Sequence, residues 1–327
     1  MIHLGPDHPP IVKTVFDTVP NTIAGPPYMA MSGDGHYGSV TNWVGGKAVD
    51  HPDNVVSVID LSSPQLTILQ QVHLQQPQIA VMHPDGKRLI VPYMHGCRVF
   101  EMRDEQLVTV KDNQAEIGCL TDVSPSGDRI VATGKPVKGG GSLRIFQSDN
   151  GLITHLTDVK VPASRSLING PFGQRFTPDG RHVLVPNGEG LGAKGTLDDL
   201  LVVDMTMTPP TVTSVIPQLA DGMESVAVHP SGKLAVVAGL DAHRTHCNLA
   251  VIDLVASSPR LLYHLDIEPI PEGMEFSPDG AHLFVGVTLA HRIVVYAVDG
   301  YLLKRTPFVI RVRHRPSSMA IGPWYLK

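Results

Sequence analysis

Cysteine is scarce in this 327-residue chain: Cys97, Cys119 and Cys247 are the whole set. An odd, widely spaced trio is not a disulfide framework, and no two stand close enough for a zinc-type pair; buried, reduced thiols are expected. Charge is also sparse, at 17% of residues with a net value of −5. Without a basic stripe, nucleic acid is excluded as a partner. No apolar run reaches the roughly 18 residues of a membrane span. The start, Met1-Ile2-His3-Leu4-Gly5-Pro6-Asp7, lacks the basic and apolar segments of an export signal, so a cytoplasmic location is expected. What is plentiful is Gly (31), Pro (28) and apolar side chains (42%), the makings of a large core with many tight turns.

One phrase recurs: an apolar run, Pro-Asp-Gly or Pro-Ser-Gly, and a second apolar run. The turns begin at Pro84, Pro125, Pro178, Pro230 and Pro278, with a degenerate copy at Gly33-Asp34-Gly35. Ser318-Met319-Ala320-Ile321-Gly322-Pro323 matches the run before the turn. Proline presets the first turn φ, Asp or Ser bonds the backbone two residues on, and Gly accepts a positive φ, so each phrase is a β-hairpin. A third run follows and often closes in an acid, as at Asp60, Asp204, Asp253 and Asp299; a fourth, more polar run comes after it. Four strands per repeat of about 40–50 residues is the pattern of a propeller blade. The prediction is an all-β fold over residues 1–327: a seven-bladed β-propeller of four-stranded antiparallel blades. Its last blade would be closed by strands from both termini, shared by residues 1–20 and 314–327, which removes the open edges.

The repeat resembles that of the YVTN propellers, best seen in Glu275-Phe276-Ser277-Pro278-Asp279-Gly280 through Val298-Asp299. A narrower resemblance is to the lactonase-like propellers, whose Gly-Pro-Arg-His, Pro-Asp-Gly and Asn-Glu phrases align with Gly170-Pro171-Phe172-Gly173, Pro178-Asp179-Gly180 and Asn187-Gly188-Glu189. Here Phe172 and Gly173 replace the basic pair, and Glu189 is displaced by one. The resemblance implies a small organic ligand at the mouth of the axial channel.

The innermost strand of each blade lines that channel. Three residues before each turn stand Ala30, Val81, Asp122, Arg175, Ala227, Glu275 and Ala320; six before stand, among others, Gln78, Glu224 and Glu272. Unpartnered charge is costly inside a protein, so Asp122 and Arg175, on adjacent blades, are expected to form an ion pair. Glu224, Glu272 and Glu275 form an acidic group that could raise a pKa or bind a cation. His83 and His229, directly before a turn proline, read as turn residues. His51, His95, His243, His246 and His291 fall in loops between second and third strands, at the mouth. His243-x-x-His246 is the densest group of bases or metal donors, with His291 as a further donor; a divalent metal ion is the one cofactor these side chains suggest. The Gly-rich segments 135–141 and 187–199, the latter carrying Glu189, read as lips over the mouth.

Two functional readings follow. In the first, the protein is a lactonase-like enzyme that opens or closes a ring, or hydrolyses an ester-like bond, by general acid–base chemistry. Its catalytic residues would come from His95, His243, His246, Glu224, Glu272 and Glu275, with Asp122, Arg175, His51 and Glu189 lining the substrate channel. In the second, it is a non-catalytic scaffold whose rim binds a protein partner.

Overall fold

A computed structural model of the chain describes residues 2–5, 8–12, 29–42, 52, 54–63, 65–118, 121–134, 140–163, 168–171, 173–189, 197–240, 247–255, 258–312 and 315–322. Within them, antiparallel strands build a propeller of six four-stranded blades, each a simple meander from axis to rim. The blades span residues 29–73, 81–113, 121–162, 168–220, 223–267 and 271–311. In blade four the innermost strand is interrupted, with Ile168–Pro171 and Arg175–Phe176 both paired to His182–Glu189.

The turns form as their composition requires. In all six, the glycine N–H donates to the carbonyl three residues earlier at 2.8 Å: Gly35 to Ser32, Gly86 to His83, Gly127 to Ser124, Gly180 to Thr177, Gly232 to His229 and Gly280 to Ser277. The acid closing the third strand has an equally local cause. Asp60 accepts from Ser62 N–H (2.8 Å), Asp204 from Thr206 N–H (2.8 Å) and Asp253 from Val255 N–H (2.9 Å), which turns the chain toward the fourth strand.

Neighbouring turns also touch. Gly33 N–H donates to the Gly86 carbonyl at 3.0 Å, joining blades one and two. His83 Nε2 meets the Gly127 carbonyl at 3.2 Å, and His229 Nε2 the Gly280 carbonyl at 3.0 Å, joining blades two to three and five to six. The expected turn role of these histidines is thus also a clasp between blades. Apolar cores fill each interface: Phe100 and Val91 with Val56, Phe146 with Ile90, Val185 with Leu143, Leu200 with Val237, and Met274 with Val251.

Among the described residues the predicted seventh blade is not built, and the count of blades is corrected to six. After Ser318–Ile321 the sequence reads Gly322-Pro323-Trp324-Tyr325, without the Pro-x-Gly that turns the other innermost strands back on themselves. Residues 315–322 instead lie, without strand pairing, between blades six and one. Gly273 N–H of blade six donates to the Ser317 carbonyl (3.1 Å), and Met319 and Ile321 pack on Phe284, Ile293 and Ile310. At the other end of the segment, Gly322 abuts Met31 of blade one. At the amino terminus, Ile2–Gly5 and His8–Val12 pair with each other rather than with the C-terminal run, and His8–Val12 rests against the outer strand Leu302–Arg311. Residues 13–20 and 323–327, on which the rest of the expected clasp depends, lie outside the described residues.

Candidate active site on the axis

The position three residues before each turn forms one layer of the channel. Blades one, two and five supply the buried Ala30, Val81 and Ala227; blades three, four and six supply Asp122, Arg175 and Glu275. Arg175 Nη1 lies 3.6 Å from Asp122 Oδ1, and its Nη2 donates to Glu275 Oε1 at 3.2 Å. Because blade five offers only Ala227 here, the guanidinium reaches past it to blade six. Asp122 Oδ2 also accepts the Phe176 N–H at 2.7 Å, satisfying an edge donor of an innermost strand. The expected Asp122–Arg175 pair is therefore present, but Glu275 shares the cation. Burial pushes both the Asp122 and Glu275 carboxyls above the usual range, against the pull of Arg175.

Glu272 lies one layer further from the turns. Glu275 pairs with Phe284 and Glu272 with Gly286, because the register shifts between Glu272 and Met274. Their partners are two residues apart, so both carboxylates leave the same face of blade six, the face covered by residues 315–322. Glycine makes that close cover possible: a Cβ on Gly286 would stand 2.1 Å from the Pro316 carbonyl oxygen. Glu272 is only 3% exposed, and its Oε2 accepts from Thr288 Oγ1 at 2.9 Å. Burial raises its pKa; the Thr288 bond and the Arg315 charge oppose the shift without cancelling it.

Glu224 occupies the matching position on blade five and is also buried. Its carbonyl explains a departure from the lactonase-like phrase. A Cβ on Gly173 would stand 2.1 Å from Glu224 O, and Gly173 has φ +65°, so no histidine side chain fits there.

His291 ends the short helix Thr288–Ala290 in a left-handed conformation (φ 51°), exposed on the rim three residues beyond Thr288. His95 is placed elsewhere. It sits on the turn between Arg88–Tyr93 and Gly96–Arg103 and, with His73, Gln75, Tyr93, Arg98 and Gln114, lines a cavity of about 320 Å³ between blades one and two. The axial carboxylates, on blades three, five and six, line no part of it. His51, His243 and His246 lie outside the described residues, and of Glu189 only the strand position is described. Among the described residues no three His, Cys, Asp or Glu side chains are grouped to hold a metal ion. Cys97 is fully buried and its thiol pKa is driven up by burial, so it is no nucleophile. Thr288, Arg315 and the His73–Arg98 cavity were missed by sequence reasoning; none belongs to a repeated phrase.

No family model and no curated protein matches the sequence. Solved structures do match. Kuenenia stuttgartiensis hydrazine synthase aligns with a TM-score of 0.69 at 16% identity, over 95% of this chain and 94% of that one. A Bacteroides uniformis protein provisionally assigned as a 6-phosphogluconolactonase gives 0.68 at 17%, over 88% and 86%. The periplasmic gluconolactonase PpgL of Pseudomonas aeruginosa gives 0.64 at 18%, over 88% and 85%. At these identities the likeness shows the propeller fold, lactonase-like in form, and no activity.

Proposed function

We propose that this propeller is a lactonase-like hydrolase acting on a small cyclic ester at the axis. The reading rests on one observation above others: Glu272 is a buried carboxyl, held by Thr288, with its pKa raised and a cation, Arg315, close enough to act on it. Perturbed carboxyls in clefts are the usual carriers of acid–base chemistry. In ring opening, water adds its oxygen to the lactone carbonyl carbon and the ring C–O bond breaks. The water proton passes through Glu272 to the departing ring oxygen, giving a hydroxy acid. Arg315 would offset the charge developing on the carbonyl oxygen. Glu224 and Glu275 would serve as further acids, with Asp122, Arg175, His51 and Glu189 as channel residues. A bound divalent cation would draw on His243, His246 and His291, and metal analysis of purified protein tests that option.

The test is lactone hydrolysis followed by pH-stat, with the uncatalysed rate subtracted. Glu272→Gln should lower kcat by about 10²-fold or more, the scale of a lost acid–base group. A folded wild-type protein inert on a panel of five- and six-membered lactones, or a fully active Glu272→Gln, would refute the assignment. The scaffold reading has its own support: outer strands expose Val108, Val110, Leu152, Leu156 and Val215, between 37% and 50% accessible. No helix among the described residues is long and apolar enough to cross a membrane. We propose a cytoplasmic location. The periplasmic PpgL makes export the alternative, and cell fractionation decides between them.

A further inference from the structure

We infer, on the hydrolase reading of Glu272, that residues 315–322 are a displaceable strap, which lifts from blade six to admit a ligand and closes again to bring Arg315 to it. Glu272 is 3% exposed, so a ligand reaches its carboxyl only when the cover moves. The innermost strands pack side by side from blade one through to blade six. Between blade six and blade one stands this segment, and it is built unlike the blades it joins. It belongs to no strand ladder, and none of its residues is buried. Its backbone meets blade six where Gly273 N–H donates to the Ser317 carbonyl at 3.1 Å. Met319 and Ile321 are only partly buried against Phe284, Ile293 and Ile310. Segments with little buried surface and no ladder are the ones that open at low cost.

Blade six is shaped for this cover. At the position of Gly286, the second strands of the other blades carry Thr41, Pro92, Thr133, Pro186 and Ala238. A Cβ on Gly286 would stand 2.1 Å from the Pro316 carbonyl oxygen, and one on Gly273 would stand 3.0 Å from Ser318 Cα. Gly286 is paired directly opposite Glu272. The strap therefore crosses bare backbone beside the carboxyl, with no blade-six side chain interlocked at these two points. Its ends differ. Met319 and Ile321 hold one end on the apolar face, whereas Arg315, at the other, is exposed and its charge acts on Glu272. Cover and cation belong to one segment, so lifting it opens the site and withdraws the charge together. Closure over a bound ligand excludes water and returns the cation for the chemical step.

The experiment reads access to Glu272 without requiring turnover. The full chain is treated with a water-soluble carbodiimide and glycine ethyl ester, and labelling of each carboxyl is followed by peptide mass spectrometry. Exposed Glu105 reports the activity of the reagent, and Glu224, buried on blade five, reports general loosening. Gly286→Ala pushes on the Pro316 carbonyl and should raise the labelling rate of Glu272 at least tenfold while Glu224 keeps its wild-type rate. A Gly273→Cys/Ser318→Cys cross-link should do the reverse: Glu272 should label at least tenfold more slowly in the oxidised protein than in the same protein reduced. That comparison stands even if Gly286→Ala fails to fold. Equal rates in the oxidised and reduced protein would overturn the strap, as would a folded Gly286→Ala in which Glu272 is unchanged or rises only together with Glu224. Lactone turnover is measured separately, and oxidation of the cross-link should lower kcat/KM at least tenfold. A wild type inert on lactones whose Glu272 labelling still obeys the cross-link would refute the hydrolase and leave the strap standing. Turnover equal in the oxidised and reduced protein would overturn the strap and leave the hydrolase.

Discussion

On the turn side of the propeller every blade solves the same problem in the same way. Six hairpins close with the same 2.8 Å hydrogen bond, and the glycine of one turn receives part of the turn before it. Along the axis no two adjacent blades agree: alanine, valine, aspartate, arginine, alanine and glutamate follow one another in one layer. Repetition on one side holds the ring; its absence on the other leaves side chains that differ from blade to blade. The contrast can be broken first on the turn side, where the largest effects are expected. Gly86 has φ +70°, and a Cβ there would meet the Gly33 Cα at 2.6 Å, backbone against backbone. Gly86→Ala should cost about 3–5 kcal/mol, as backbone strain and overpacking add. At Gly127 the obstacle is the movable His83 ring, at 2.4 Å, and the cost of Gly127→Ala should be about 2–3 kcal/mol. In a His83→Ala background that penalty should fall to about 1 kcal/mol, leaving only the strain of φ +78°. Gly300 (φ +59°) has nothing within 4 Å of its Cβ position, so Gly300→Ala should cost about 1 kcal/mol in any background. Urea unfolding of the three variants checks the order; equal penalties would show that contact between turns is not what holds the ring.

On the axis the expected effect is smaller and depends on pH. Arg175→Met leaves Asp122 and Glu275 facing each other without their cation. The wild-type side chains are 18%, 22% and 31% exposed for Asp122, Arg175 and Glu275, so water softens the loss. About 1–3 kcal/mol is expected, below the range for fully buried pairs. Both carboxyls already have raised pKa values in the fold, from burial first. Such groups favour the folded state when protonated, and that advantage is lost as pH rises through the folded pKa. Without Arg175 both values rise further, so the penalty should be greater at pH 8 than at pH 4.5. A penalty independent of pH would mean that Arg175 acts by packing alone.

The same division explains what could be read in the sequence. Turns, strands and the four-strand period were legible because each depends on neighbours in the chain: proline, a short polar residue and glycine carry their geometry with them. The Asp122–Arg175 pair was legible too, since the period places both in one layer. The link from Arg175 to Glu275 was not, because it depends on Ala227 leaving room for a side chain to pass blade five. The blade count failed for a related reason. Ser318–Ile321 has the apolar pattern of an innermost strand, but Pro323-Trp324-Tyr325 lacks the glycine that turns the other hairpins, and among the described residues the run is unpaired. Arg315 and Thr288 come to Glu272 through that unpaired segment and a short helix, neither of which repeats. His95 was read at the channel mouth from its loop; that its neighbours are His73 and Arg98 depends on how two blades stand side by side.

The smallest expected effect separates a carboxyl retained for packing from one retained for its charge. Glu272 is held by Thr288 and buried in the free protein, and burial raises its pKa above the ordinary value of 4.5. Gln in its place keeps the shape and an acceptor for Thr288 but never ionises. Well below pH 4.5 the wild-type side chain is protonated whether folded or unfolded, and the two proteins should be nearly equal in stability. As pH rises through the raised folded pKa, the wild type must either ionise a buried group or hold a proton that the unfolded chain gives up. Both cost stability that Glu272→Gln does not lose. The variant should therefore become the more stable protein at pH 7.5. Urea midpoints at pH 4 and 7.5 measure the difference. A variant that is less stable at both values would mean that Glu272 is held ionised by Arg315 as a structural ion pair, which would remove the acid–base role from the axis.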